Sequence, residues 1–310
     1  MGKIAFVFSG QGAQHTGMGL ELFRQVPAAA EVFRRADAFR PGTSAQCFEG
    51  SDEVLSVTAN TQPCLFAMET ASAAALAESG IRADMTAGFS LGELSALAYA
   101  GMAEFETMFR LVCRRGELMQ EASDQNPASM AAVVKLTAEQ TEEICSGFQE
   151  VYPVNFNCPG QVSVSGKAEE MKAFGEAVKT AGGRMIPLKV KGGFHSPFMR
   201  TAAEAFAGEL AETAVKAPVI PVYANRTASP YPGVGQEAEI RELLSSQIVS
   251  PVQWERTIRR MIADGADTFV EIGPGETLCG MIKRIDKNVR TFAVSDMAGL
   301  EAVKAEVTGC

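Results

Sequence analysis

The sequence predicts an α/β fold, in which a large domain built on a central parallel sheet is interrupted by a small domain of βαββαβ order. Three observations predict it. A continuous apolar run, Lys3–Phe8 (KIAFVF), ends in the Gly-rich stretch Ser9-Gly10-Gln11-Gly12, as a strand buried on both faces does when it feeds a loop. A second short run, residues 81–87, leads into Gly88-Phe89-Ser90-Leu91-Gly92 and then into an Ala- and Leu-rich segment, 91–102, which reads as strand, turn and helix. From about Pro127 the rhythm changes to short strands alternating with two helices.

Between the first two strands, residues 62–80 (QPCLFAMETASAAALAESG) read as a buried Ala-rich helix stopped by glycine. Alternation of strand and helix implies a parallel sheet. Residues 130–136 (MAAVVKL) form the next strand, and Thr137-Ala138-Glu139-Gln140 opens a helix with the Ser/Thr-x-x-Glu/Gln capping box. Residues 151–157 and 161–166 are strands around the turn Cys158-Pro159-Gly160. Residues 168–182 are a helix, and 184–190 a strand. This order is the ferredoxin-like unit. It sets the expected division: residues 127–194 form the small domain, inserted in a large α/β-hydrolase-like domain made of 1–126 and 195–310. A helix resumes over 198–215. Residues 261–266 lead to the buried strand 268–272 (TFVEI), closed by Gly273-Pro274-Gly275. No internal repeat or low-complexity tract interrupts the pattern.

The 310 residues suffice for one large domain with an insert, and 46% hydrophobic against 21% charged residues is a soluble, globular balance. The apolar run at 4–8 is too short to span a membrane or to serve as a signal core. Met1-Gly2 lacks the Ser or Thr at the sixth position that myristoylation needs. Seven cysteines (47, 64, 113, 145, 158, 279, 310) include no Cys-x-x-Cys pair, which argues against both a disulfide framework and a zinc site. The expected home is a reducing cytoplasm. Asn225-Arg226-Thr227 is a glycosylation sequon, read as coincidence without a secretion signal. The net charge is −9. No Lys/Arg stripe interleaves with aromatics, so nucleic acid is not an expected partner. An anionic substrate needs a local cation against the overall field. Gly10-x-Gly12 lacks a third glycine and no Walker lysine follows, so neither a dinucleotide nor a P-loop site is indicated.

Gly88-Phe89-Ser90-Leu91-Gly92 has the pattern of a nucleophile elbow, whose glycines allow a sharp strand-to-helix turn that exposes the serine hydroxyl. Serine is a weak nucleophile until a base takes its proton, and histidine is the usual base. The chain has two histidines. His15 lies in the polar run GQGAQHTGMG and reads as a solvated residue at a helix start. His195 lies in Gly192-Gly193-Phe194-His195-Ser196-Pro197, where the small domain returns to the large one, a junction placed to face a cleft. His195 is therefore the favoured base; a helix-capping or packed junction histidine is the alternative. No histidine follows it, unlike the Ser–acid–His order of ordinary esterases, which points to a Ser–His dyad. Acyl transfer also needs donors for an oxyanion: the Leu91 amide and an amide from the Gly10–Gly12 loop are candidates.

Taken together, GQGAQ, GFSLGE, RRGELMQ (114–120), NFNCPGQVSVSG (155–166), GGFHSPFM (192–199) and SPVQW (250–254) resemble the malonyl-CoA:acyl carrier protein transacylase family, in its order and spacing over nearly the whole chain. The resemblance implies that Ser90 takes the malonyl group from malonyl-CoA as an ester. His195 would act as base and then acid. Gln11 and Leu91 amides would form the oxyanion hole, and the backbone carbonyl of Gln253 would orient His195. It implies that Arg115 pairs with the free malonyl carboxylate, which suits the two parallel hydrogen bonds a guanidinium offers. Met119, Asn157 and Phe194 match pocket positions, and Phe194 resembles the malonyl-type rather than the methylmalonyl-type site. Phe89 departs from the histidine many members carry there. The implied partners are malonyl-CoA and an acidic acyl carrier protein, with no metal or redox cofactor. Lys189, Lys191, Arg200, Lys283, Arg284 and Lys287 are candidate docking cations. Fatty acid synthesis is the expected pathway. A discrete acyltransferase of a polyketide synthase, a serine thioesterase, and a non-catalytic carrier-binding scaffold are the rival readings.

Overall fold

A computed structural model describes residues 2–308, so the readings made on Met1 and Cys310 lie outside the described residues. Among the described residues nine strands run in chain order: β1 (Lys3–Phe8), β2 (Met85–Gly88), β3 (Ser129–Val134), β4 (Val151–Cys158), β5 (Gln161–Gly166), β6 (Arg184–Pro187), β7 (Val222–Tyr223), β8 (Ala266–Ile272) and β9 (Arg290–Val294). Five of them form a parallel sheet in the order β7-β2-β1-β8-β9. The apolar run at the N-terminus is its central strand. Because side chains alternate along a strand, Phe6 and Phe8 enter a core on one face, with Phe66, Leu94 and Leu97. Ala5 and Val7 enter a second core on the other face, with Trp254, Ile258 and Phe269. Phe8 is level with both Gly88 and Ile272. The loops after β1, β2 and β8 therefore leave the sheet side by side, at the carboxyl edge where open α/β sheets bind ligands.

The remaining strands form a separate antiparallel sheet in the order β4-β5-β3-β6, which is the ferredoxin-like order. Its own core holds Ala131, Val133, Val164, Phe174 and Val178. The capping box at Thr137 is formed in both directions, with Gln140 N donating to Thr137 Oγ1 (3.2 Å) and Thr137 N to Gln140 Oε1 (2.9 Å). The two sheets are tied together by backbone. Val252 N donates to the Val154 carbonyl (2.9 Å) and Phe156 N to the Val252 carbonyl (2.9 Å). Arg284 adds bonds to Gln161 Oε1 (2.7 Å) and the Pro159 carbonyl (3.0 Å).

Some elements differ from the sequence expectation. The Ala-rich helix spans Thr58–Glu78 and carries Pro63 inside it. Proline at the sixth helical position removes one intrahelical bond. Fifteen of the 21 residues are nonetheless buried, and Thr58 N is met by Gln120 Oε1 (3.0 Å). Strand β6 stops at Pro187; Leu188 N still donates to the Met130 carbonyl (2.9 Å), and Leu188 and Val190 line cavities. The helix expected over 198–215 is a 3₁₀ turn, Pro197–Met199, followed by Arg200–Ala211. The short edge strands β7 and β9 were not anticipated. Among the described residues no helix is long and apolar enough to cross a membrane. The six described cysteines are free thiols.

Candidate active site

The elbow forms where β2 ends at Gly88 and the helix Gly92–Tyr99 begins. Ser90 has φ +55°, a conformation side chains seldom adopt and one that concentrates at functional sites. Both glycines are required by contact. A Cβ on Gly88 would lie 1.9 Å from the Gly92 carbonyl, and one on Gly92 would lie 2.3 Å from the Phe8 carbonyl oxygen. Asn225, two residues beyond the end of β7, holds the turn. Its Oδ1 accepts from Ser90 N (2.8 Å) and its Nδ2 donates to the Gly88 carbonyl (2.6 Å). With 1% exposure and its amide engaged, Asn225 is not open to a glycan, which gives a structural reason for dismissing the sequon.

His195 Nε2 stands 2.7 Å from Ser90 Oγ. Its Nδ1 stands 3.0 Å from the Gln247 carbonyl. A carbonyl only accepts, so Nδ1 carries the proton and donates, leaving the Nε2 lone pair for the serine hydroxyl. This corrects the expectation for Gln253. That residue's carbonyl accepts from Thr257 N (2.9 Å) at the start of the helix Trp254–Ala263, and its amide donates to the Asn225 carbonyl (2.8 Å), so it is committed to the backbone of the junction. The orienting carbonyl comes six residues earlier, from the 3₁₀ turn Gln247–Val249. His15 is exposed, and its ring stands 3.0 Å from the Thr16 carbonyl, away from Ser90. Burial pushes the His195 pKa down to about 4, with the Arg115 charge adding to it. The imidazole is therefore neutral at pH 7, in the form that can accept a proton.

Arg115, from the helix Phe105–Gln125, is fully buried. Its Nη1 donates to Gln62 Oε1 (2.8 Å) and its Nη2 to Gln247 Oε1 (2.8 Å). Nη2 also lies 3.4 Å from Ser90 Oγ. Its Nε has no partner among the described residues. Burial pulls the pKa down to about 10, opposed by Glu93, so the guanidinium stays charged at neutral pH. Gln247 is the hub: its Nε2 donates to the Ser90 carbonyl (2.7 Å) and to Glu93 Oε2 (3.0 Å). Glu93 is itself fully buried and receives Asn225 N (3.0 Å) and the Tyr231 hydroxyl. Burial raises its pKa to about 7 against those donors.

A cavity of about 70 Å³ surrounds Ser90 and His195 and is lined by Gln11, Phe89, Met119, Met130, Asn155 and Phe194. A larger one of about 250 Å³ adjoins it and shares Gln11, Phe89, Asn155 and Leu188. Asn157 lines the larger cavity, not the serine's own. The Oδ1 atoms of Asn155 and Asn157 are buried without a partner among the described residues. Phe89 lies at the border of both cavities, its ring edge-on to Trp254 with centroids 5.4 Å apart. The amides of Gln11 and Leu91 donate no hydrogen bond to other described groups, so both remain open for an oxyanion.

Sequence reasoning missed Gln62, Gln247, Glu93 and Asn225. Two of them carried a signal: Gln62 and Glu93 are polar residues within segments read as buried Ala- and Leu-rich helices, where an unpartnered polar group is costly. Nothing local marks Gln247, and Asn225 shows only the sequon.

The parallel sheet, elbow and inserted antiparallel domain define an acyltransferase: the family described as acyl transferase domain matches residues 5–304. The malonyl CoA-acyl carrier protein transacylase of Bacillus subtilis is 41% identical over 97% of this chain and 96% of that protein. The Escherichia coli K12 protein of the same name is 37% identical over 97% and 99%. The crystal structure of the Clostridium perfringens transacylase superposes with a TM-score of 0.94 at 36% identity, covering 99% of this chain and 98% of that one. A structure of a type II polyketide synthase acyl carrier protein in complex with its malonyl-transacylase has a TM-score of 0.94 at 35% identity, over 98% and 99%. The chain belongs to the malonyl CoA-acyl carrier protein transacylase family.

Proposed function

We propose that this chain transfers the malonyl group of malonyl-CoA to the phosphopantetheine thiol of an acyl carrier protein, through a malonyl ester on Ser90. The observation that carries the reading is the Ser90–His195 pair at 2.7 Å with a buried guanidinium 3.4 Å from the same serine oxygen. Ser90 Oγ attacks the thioester carbonyl while its proton passes to His195 Nε2. The oxyanion meets the Gln11 and Leu91 amides. When the C–S bond breaks, His195 returns the proton to the CoA sulfur, and the malonyl ester remains. The carrier thiol then loses its proton to His195, attacks the ester carbonyl, and Ser90 leaves with that proton. The imidazolium formed midway is stabilised by the Gln247 carbonyl dipole rather than by an acid. Ping-pong kinetics follow.

Arg115 gives the substrate class. A malonyl carboxylate offers the guanidinium the anionic partner it lacks, whereas an acetyl group leaves it unpaired. Phe194, packed into the Ser90 cavity, leaves little room for an added methyl. The larger cavity suits the pantetheine arm of either substrate, whose amides meet the unpaired Asn155 and Asn157 oxygens. Lys189 and Lys191 alternate with Leu188 and Val190 of the cavity walls, so their exposed charges stand at the rim where an acidic carrier would dock. The chemistry asks for no metal or redox cofactor. We place the protein in the cytoplasm, supplying fatty acid synthesis. The structural match to a polyketide malonyl-transacylase supports the second pathway, and carrier preference separates the two.

Intact mass after brief exposure to malonyl-CoA, acetyl-CoA or methylmalonyl-CoA tests the reading. A malonyl adduct is expected, absent in Ser90→Ala and discharged by holo-carrier. An adduct that survives in Ser90→Ala removes the nucleophile, and rapid loss to water without carrier turns the reading to a hydrolase.

A further inference from the structure

Directly behind the site lies a carboxyl group that the chemistry above does not use. Glu69, midway along Thr58–Glu78, has no exposed surface. Its Oε1 accepts from Ser9 Oγ (2.6 Å) and its Oε2 from Ser95 Oγ (2.5 Å). Both serines are buried. Ser9 is the residue after β1 and stands two residues before Gln11. Ser95 lies one turn into the helix that begins just after Leu91. The two segments that carry the oxyanion donors are thus fastened to the two oxygens of one carboxyl group. A third segment closes the cluster. Gly273, with φ +125°, has no room for a Cβ, which would lie 2.3 Å from Ser9 Oγ and 3.1 Å from Glu69 Cγ.

We infer that Glu69 is a positioning residue that sets the spacing of the Gln11 and Leu91 amides by cross-linking their segments through Ser9 and Ser95. The inference rests on the acyl-transfer reading of Ser90. Preorganised donors act only if they stand where the oxyanion forms, and a displacement of about 1 Å can cost up to ~100-fold in rate. Burial pushes the Glu69 pKa up to about 8, against the pull of both serine hydroxyls and with Glu271 adding to the rise. The group is then mostly neutral at pH 7, so one of its oxygens carries the proton and donates to its serine while the other accepts, a donor–acceptor pattern that glutamine reproduces.

The test is the rate constant for Ser90 acylation by malonyl-CoA, followed by rapid-quench intact mass, in Ser9→Ala, Ser95→Ala, the double variant, Glu69→Leu and Glu69→Gln. Each serine variant is expected to slow acylation about tenfold with less than about a twofold change in half-saturation. The double variant should be no slower than the slower single, because either cut unties the cross-link. Glu69→Gln should recover rate relative to Glu69→Leu; if the leucine variant does not fold, the serine set decides alone. Wild-type acylation rates in the serine variants, with or without a lower melting temperature, would make Glu69 merely structural. Losses that multiply would make the two contacts independent; either result overturns the inference. If the wild-type chain forms no acyl-Ser90, the acyl-transfer reading itself fails, an outcome distinct from both.

Discussion

Arg115 and His195 are each shaped by burial, and their behaviour follows from it. Arg115 holds a positive charge with only neutral oxygens, two amides and the Ser90 hydroxyl, bonded directly to its guanidinium, while Glu93 acts on it through Gln247. Arg115→Ala should reduce acylation by malonyl-CoA by at least ~100-fold, while acylation by acetyl-CoA changes far less, because one desolvated carboxylate–guanidinium contact is lost only for malonyl. Parallel losses for both substrates, measured by intact mass, would remove the carboxylate role. His195 works only as neutral imidazole, and its pKa is held at about 4 against an ordinary 6.5. The neutral form is thus retained as pH falls through 6.5 and is lost only on approaching 4. Acylation by malonyl-CoA should stay level from pH 7.5 to about 5.5 and fall below that. An acid limb centred near 6.5 in a rapid-quench series would show that the imidazole is not buried as described.

Individual elements succeed or fail on steric detail. The elbow depends on two glycines whose missing Cβ atoms would overlap backbone, which has nowhere to move. Gly88→Ala should cost more than ~4 kcal/mol and leave little folded protein, since a 1.9 Å approach to the Gly92 carbonyl displaces either β2 or the elbow helix. Gly280 offers the opposite case on the helix Thr277–Ile285. It is exposed, its added Cβ meets nothing within 4 Å, and its φ is not positive. Gly280→Ala should therefore raise stability by about 0.5–1 kcal/mol, read as the shift in urea midpoint. The pair separates glycine as a steric necessity from glycine as a flexible link. The elbow was legible in the sequence because its constraint is local: a tight strand-to-helix turn excludes side chains on both flanks. The capping box at Thr137 was legible for the same reason. Helix ends and edge strands were less so. Pro63 was absorbed by a buried helix, and two-residue β7 gains its place by pairing with β2 and by a bridge to Pro230.

At the scale of the whole molecule, the small sheet is not a loosely hung module. Edge strand β4 is bonded through Val154 and Phe156 to Val252, a few residues from the turn whose Gln247 carbonyl orients His195. Any shift of one lobe would strain both the base and the cavity wall at Asn155. The chain should accordingly unfold in one cooperative transition in scanning calorimetry, with calorimetric and van't Hoff enthalpies in agreement. Two resolved transitions would mean that the inserted domain holds itself together without the bridge.

By itself the sequence determined the strand and helix order of the inserted domain and the strands that carry the site, the serine at its elbow, the histidine by near elimination, and the family through motifs in sequence. Each of these rests on periodicity, on steric rules spanning a few residues, or on residue types too rare to be ambiguous. Tertiary structure alone decided which carbonyl faces His195, that Gln62 and Gln247 hold Arg115, that Asn225 braces the elbow, and that Glu69 joins the loop after β1 to the elbow helix. Those contacts join residues 26 to 137 positions apart. A side-chain amide or a buried carboxyl carries no local pattern that names its partner, so only the packed chain can choose it.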